Sequence, residues 1–173
     1  MKQQKKLSVV FYYLLGAFII MCNSCATRST VDSSEVYLKG PVVSCGHLTI
    51  YQVSEDNKSY IQIIIDTEKI ELDRENIWTI PSDNAYVTVR LRKFEEEIVS
   101  RLCNDVNVRR NKPAIALLAT LGTLTLSMTE AEWINYKKGK RYKVDLKSPG
   151  MKFDDESTYG LNISQATVGW LPG

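Results

Sequence analysis

The sequence predicts a mainly β protein, either an antiparallel β-sandwich or an α+β sheet, with one or two short helices after an N-terminal signal peptide. The prediction depends on segments 60–66 (YIQIIID) and 86–92 (YVTVRLR), in which apolar residues occupy every second position. Polar, turn-forming residues stand before each segment, SEDNKS at 54–59 and PSDN at 81–84. This combination is typical of half-buried strands joined by short connections.

Further strands are predicted on both sides of these two. Segment 47–53 alternates around Leu48 and Ile50, and it forms a predicted β-hairpin with 60–66. Segment 140–146 follows a Lys-Lys-Gly turn and places every second, apolar residue on one face. Segment 162–170 supplies a last predicted strand.

Two segments show helical features instead. In 94–106 an apolar residue recurs at every fourth position from Phe94, which predicts an amphipathic helix. Thr129 is followed three residues later by Glu132, the spacing of a capping box, which predicts a short helix over 129–136.

The uncharged segment 114–128 (AIALLATLGTLTLSM) has three readings. A membrane span normally needs about 20 apolar residues, so the length of this segment and its hydroxyl side chains argue against that reading. The second and third are a short buried helix or a buried strand that begins at Pro113 and is interrupted at Gly122. A strand over 123–128 follows in either case.

Composition places the chain among ordinary globular proteins. Of its 173 residues 44% are hydrophobic and 24% are charged, which excludes disordered, collagen-like and polytopic membrane proteins. Three of the 22 basic residues and none of the 20 acidic ones lie in the first 25 residues. The remaining chain has 19 basic against 20 acidic residues, so no nucleic-acid partner is predicted.

The N-terminus has the pattern of a secretory signal peptide. A cationic start with Lys2, Lys5 and Lys6 is followed by the apolar run 7–21, which is shorter than the roughly 20 residues of a membrane span. The alternative is an uncleaved N-terminal anchor. The segment 26–35 (ATRSTVDSSE) is rich in Ser and Thr, and it predicts a flexible tether behind the apolar run.

The stretch at 21–26 (MCNSCA) resembles the lipobox of bacterial lipoproteins, in which a small residue precedes a lipidated cysteine. Cys25 follows the small Ser24, whereas Cys22 follows the bulky Met21, so we select Cys25 as the lipidation site. Cys22 departs from the pattern, because it occupies the position where the motif usually has Leu. The resemblance implies a lipid on the Cys25 sulfur and acylation of its new amino group, and two or more acyl chains anchor a protein stably.

The predicted organisation follows from this N-terminus. Residues 1–24 are the lipoprotein signal peptide, 25–35 are the lipidated cysteine and tether, and 36–173 are a single β-rich globular domain. In the family that the resemblance suggests, a non-acidic residue after the lipidated cysteine, here Ala26, favours the outer membrane. The predicted location is therefore the bacterial cell envelope, with attachment to the outer membrane.

Two cysteines remain beyond the anchor, Cys45 and Cys103. In an oxidising compartment they can form a disulfide, and the alternative is two buried free thiols. Cys45 lies two residues from His47, the one histidine of the chain, but no further ligand or orienting residue has diagnostic spacing. No catalytic residue, metal ligand or cofactor is therefore predicted.

Basic residues cluster at 137–143, as Lys137, Lys138, Lys140, Arg141 and Lys143, and again at 109–112. A solvated hairpin is the simpler interpretation of these clusters, and binding to anionic lipid headgroups is the alternative.

Two function classes remain. The first is a non-enzymatic, membrane-anchored lipoprotein that binds a protein partner in a cell-envelope assembly. The second is an anchored periplasmic or surface domain that binds or processes a small molecule or glycan. We prefer the first, because the sequence contains no recognisable catalytic set.

Overall fold

The structure, a computed structural model, describes residues 36–46, 48–81, 86–98, 102–103 and 112–169. These residues belong to one compact unit, Ser34–Gly173. The predicted signal peptide and tether lie outside the described residues. Within the described ranges, none of the helices has the length and apolar character that a membrane crossing requires.

The described residues contain nine strands, one α-helix and one short 3-10 turn. The strands are β1 Val36–Tyr37, β2 Val42–Cys45, β3 Thr49–Val53, β4 Ser59–Ile65, β5 Asn76–Ile80, β6 Val87–Lys93, β7 Ile115–Ser127, β8 Tyr142–Phe153 and β9 Thr158–Val168. The helix is α1, Glu130–Lys137, and the 3-10 turn is Thr67–Lys69.

All nine strands belong to one sheet, with the order β1-β9-β8-β7-β6-β4-β3-β2 and with β5 paired to the second half of β7. Every pairing is antiparallel except that of β1 with β9. The sheet curls until Cα atoms of β2 and β9, at its two sides, approach within 8 Å of each other. This nearly closed barrel with one short helix confirms the predicted mainly β class.

The barrel interior is apolar because alternate side chains of each strand point to the same face. In the predicted strand 86–92, Val87, Val89 and Leu91 are buried whereas Arg90 is exposed. Other fully buried members of the core come from strands all around the barrel. They include Ile50, Ile61, Ile63, Leu124, Leu126, Leu146, Met151, Phe153 and Ile163.

A single segment, 36–45, follows the open side of the barrel. At its start, Val36 and Tyr37 pair in parallel with Tyr159 and Gly160 of β9, and at its end β2 pairs with β3. Further along the segment, the hydroxyl of Ser44 in β2 donates to the main-chain carbonyl of Thr167 in β9. Ser44 and Thr167 are 123 residues apart in the sequence, as are the paired residues Val36 and Tyr159. The whole segment therefore runs parallel to β9, although only its first part is paired with it.

The change of partner occurs at Gly40 and Pro41. The Gly40 N–H donates to the Val53 carbonyl at 2.9 Å, and the Val53 N–H donates to the Pro41 carbonyl at 3.0 Å. A Cβ atom at Gly40 would lie 2.4 Å from the Val53 carbonyl oxygen and 2.6 Å from that of Ser54. Only glycine allows this close approach, so Gly40 fixes the point at which the segment leaves β9 for β3.

Helix α1 confirms the short helix that the Thr129 pattern predicts. The Glu132 N–H donates to the Thr129 hydroxyl at 3.4 Å, as expected for an N-cap. The Glu132 carboxylate does not complete a capping box, because it accepts from the Lys143 N–H of β8 at 2.8 Å. It thereby ties the helix to the barrel, and Trp133 of the helix is buried in the core.

The predicted helix over 94–106 is wrong for 94–98, which is not helical. The N–H groups of Phe94 and Ile98 donate to the carbonyls of Lys58 and Asn57, both at 2.8 Å. These long-range hydrogen bonds take the place of the bonds within a helix. The regularly spaced apolar side chains Phe94 and Ile98 pack on the outer face of the sheet instead. The later part, except 102–103, lies outside the described residues.

The segment 114–128 forms one long strand, β7. Its first half pairs with β6 and its second half with β5. Gly122 does not end the strand; it lies at φ +145°, and a Cβ there would come within 2.8 Å of the Gly150 carbonyl. The glycine accompanies shifts in the β7–β8 register, which bend the strand without interrupting it.

We expect Gly40→Ala to lower the free energy of unfolding by about 3 kcal/mol, because the new methyl group meets main-chain atoms that cannot rotate away. Gly139→Ala is the matched control: φ is +64° there and nothing lies within 4 Å of the added Cβ, so about 1 kcal/mol is expected. Urea unfolding followed by circular dichroism measures both. Equal losses in the two variants would contradict the assigned role of Gly40.

Candidate functional site

Cys45 and Cys103 form a disulfide, with their Cα atoms 5.3 Å apart. Of the two alternatives left open by the sequence, the structure therefore contains the pairing. Cys45 ends β2, and Cys103 lies in a turn beyond the segment that starts at Phe94. The disulfide thus ties this segment to the outer face of the barrel.

The tied segment covers a second apolar cluster, separate from the barrel interior. Tyr51, Val53 and Tyr60 are buried in it, and Phe94, Ile98 and Leu102 pack against them. The rings of Tyr51 and Tyr60 meet edge to face with centroids 5.3 Å apart. This packing gives the disulfide region a structural role.

The other sequence-derived candidates do not gather into a site. Cys25, His47, Arg109 and Arg110 lie outside the described residues. No group of three or more His, Cys, Asp or Glu side chains that could hold a metal ion occurs among those that are described.

The titratable groups with shifted pKa values also lie in structural positions. Hydrogen bonds from Ser54 and Ser157 lower the pKa of Asp56 and Asp155, respectively, and both acids lie in exposed turns. Burial raises the pKa of Tyr142, with a further contribution from nearby Tyr136. None of these groups lines the clefts at the open side of the barrel.

Two adjoining clefts lie along this open side, between the segment 36–45 and β9. The first has a volume of about 450 Å³ and the second about 390 Å³. They share Val42 and Ser164, so together they form one elongated groove, which we call the seam groove. Its polar lining residues are Lys39, Ser44, Gln52, Arg141, Asn162, Ser164, Gln165 and Thr167.

The seam groove exists because two strand edges face each other without pairing. Among the described residues, β9 has no strand partner on this side beyond Gly160, and β2 pairs only with β3. Ladder hydrogen bonds alternate in an antiparallel pair, and Pro41 already bonds to Val53 of β3. The main-chain groups of Val42 and Ser44 therefore point away from β3, toward β9.

The seam is too narrow to admit a further strand in its present form. A strand between β2 and β9 would need them about 9.5 Å apart, since paired strands lie about 4.8 Å from each other. The Cα atoms of β2 and β9 approach within 8 Å, and the Ser44 hydroxyl bonds directly to Thr167. A ligand would therefore lie in the groove above the seam.

The charge of the groove is one-sided. Arg141 lines one cleft and Lys39 the other, and the described lining residues of both clefts include no aspartate or glutamate. The carboxylate of the nearby Asp145 accepts a hydrogen bond from the Gln165 N–H at 2.7 Å. Gln165 adopts the left-handed conformation, with φ +56°, where the β8–β9 register shifts.

Gly169 allows Arg141 to lie against the end of β9. A Cβ atom at Gly169 would meet Cγ of Arg141 at 2.6 Å and its Cα at 3.1 Å. Of the five basic residues at 137–143, Arg141 alone lines the groove. Lys137 pairs with Asp73 at 2.6 Å. The basic cluster that is continuous in the sequence is therefore divided among different surfaces.

Sequence reasoning missed this groove. It singled out Arg141 only as one member of the basic cluster, and it gave Lys39 no role. The two cations lie about 100 residues apart in the chain and are brought to one groove by the pairing of β1 with β9. The one local signal was Gly169, a glycine near the end of the predicted strand 162–170.

The comparisons with known proteins give no match: no family model, no curated protein and no solved structure is significantly similar to this chain.

We expect the double variant Cys45→Ser/Cys103→Ser to unfold with a free energy about 4 kcal/mol lower than that of the wild-type protein. The disulfide closes a loop with a sequence separation of 58, and the chain-entropy model assigns this magnitude to such a loop. Guanidinium unfolding measures the difference. Hydrogen exchange should also accelerate at the Phe94 and Ile98 amides, and unchanged exchange there would contradict the tie to the outer face.

Proposed function

We propose that this protein is a non-enzymatic lipoprotein of the bacterial cell envelope, anchored through Cys25 to the outer membrane, that binds a protein partner in a membrane-associated assembly. The observation that supports it best is the seam groove. The groove is open to a partner, and it is lined by hydrogen-bonding side chains and two cations, with no carboxylate in the part of its lining that the structure describes.

The chemistry of the groove favours binding over catalysis. Its hydroxyl groups belong to Ser44, Ser164, Thr167 and Tyr37, and among the described lining residues no histidine or carboxylate stands beside them to activate one. Donors and acceptors placed beside apolar side chains such as Val42 are instead typical of recognition surfaces.

The lipid anchor and the tether place this groove near a membrane. Two acyl chains on Cys25 would hold the protein there stably, and ten tether residues would allow a reach of roughly 17–19 Å. The barrel would therefore remain close to the membrane without a fixed orientation, which suits a component that captures an envelope partner.

We expect Cys25→Ser to move the protein from the membrane fraction to the soluble fraction, because the variant lacks the lipidated sulfur. Cys22→Ser is the matched control and should remain in the membrane fraction. Cell fractionation, with mass spectrometry of the mature N-terminus, measures both effects. Membrane retention of Cys25→Ser, or an intact Met1 in the wild-type protein, would overturn the proposed anchor.

We expect the C-terminally tagged full-length protein, purified from detergent-solubilised envelopes, to bring down a stoichiometric protein partner. Mass spectrometry identifies the partner, and an unrelated tagged lipoprotein purified in parallel serves as the control. A lipidated protein that is recovered alone would contradict the assembly role and favour the second candidate, a domain that binds a small molecule or glycan.

A further inference from the structure

We infer that the seam groove binds an extended acidic segment of a partner protein, with carboxylates held by Arg141 at one end and Lys39 at the other. This inference deepens the proposed function and rests on it. It names the part of the partner that is recognised, the surface that recognises it and the residues that provide most of the selectivity.

The length of the groove fits a short extended peptide. The offset of 123 residues that relates segment 36–45 to β9 places Lys39 beside Asn162, and both line the same cleft. Arg141 lies against Gly169, seven residues further along. At about 3.3 Å per residue the main-chain positions beside Lys39 and Arg141 lie roughly 23 Å apart along β9, and the two long side chains can reach toward each other across this span.

The charge of the groove selects an acidic segment. Among the described residues, no ion pair involves Arg141 or Lys39. The Asp145 carboxylate, on the neighbouring strand, accepts hydrogen bonds from Gln165 and forms no ion pair with either cation. A carboxylate in the groove would therefore meet an available cation at either end, and Arg141 can bind one with two parallel hydrogen bonds.

The groove between the cations suits a polypeptide better than a lipid headgroup. Val42, which is exposed, and the half-buried Leu38 provide apolar contacts, and Ser164 and Gln165 provide donors and acceptors for amide groups. A headgroup needs cations gathered at one point, whereas these two lie at opposite ends. An extended peptide whose side chains alternate between acidic and apolar would contact both kinds of surface.

Binding of a labelled hexapeptide, (Glu-Val)3, to the full-length protein in detergent tests the inference by fluorescence anisotropy. We expect saturable binding in the millimolar range or below, and much weaker binding of the uncharged (Gln-Val)3. Arg141→Glu and Lys39→Glu should each weaken binding at least about tenfold, because each places a carboxylate opposite a carboxylate.

Lys140→Glu is the matched control. It changes the net charge by the same amount next to Arg141 in the sequence, but Lys140 is exposed and does not line the groove. Its affinity for the hexapeptide should equal that of the wild-type protein. Gly169→Ala is a second test that preserves every charge; it should weaken binding because it displaces Arg141 from the end of β9.

Equal affinities of wild-type, Arg141→Glu and Lys39→Glu proteins for the hexapeptide, or no saturable binding, would overturn the inference. Tighter binding of polygalacturonate or of anionic phospholipid vesicles, lost in Arg141→Glu, would assign the groove to a glycan or a lipid and also overturn it. The partner-capture experiment distinguishes a failure of this inference from a failure of the proposed function. A partner captured equally by the wild-type and Arg141→Glu proteins leaves that function standing and removes only the groove's role.

Discussion

The closure of the barrel is governed by one ten-residue segment, 36–45, which pairs with two different strands. The segment begins beside β9 and ends beside β3, and its change of partner at Gly40 requires main-chain contacts that no side chain would permit. Main-chain hydrogen bonds to β9 close the barrel at the start of the segment. The end of the segment pairs with β3 and not with β9, so the barrel stays open there. The seam groove is the direct result of this incomplete closure.

The two apolar clusters differ in how they affect the open side of the barrel. The interior core takes its buried strand residues from β3 to β9, so it holds the curvature of the sheet. The outer cluster around Tyr51 and Tyr60 covers only one face of the sheet, and the Cys45–Cys103 disulfide keeps its cover in place. Since Cys45 ends β2, the disulfide also restrains the strand that forms one wall of the groove.

The proposed partner binding combines a local and a non-local feature. The local one is the lipobox-like stretch around Cys25, which would concentrate the protein at a membrane. The non-local one is the groove, where cations from the two ends of the domain meet main-chain edges. Both features would strengthen the binding of an acidic segment of a membrane-associated partner, because the anchor raises the effective concentration of that segment near the groove.

Local sequence patterns were enough to predict the fold class, most strands and the cap of α1, because these depend on alternation and spacing between near neighbours. The strand 86–92 is an example, since Val87, Val89 and Leu91 are buried as their spacing predicts. Tertiary structure decided the conformation of 94–98, whose amides bond to a distant turn in place of a helix. It also decided the cysteine pairing and the groove: Lys39 and Arg141 line one groove because β1 and β8 both pair with β9, and this long-range strand order is not specified by local patterns.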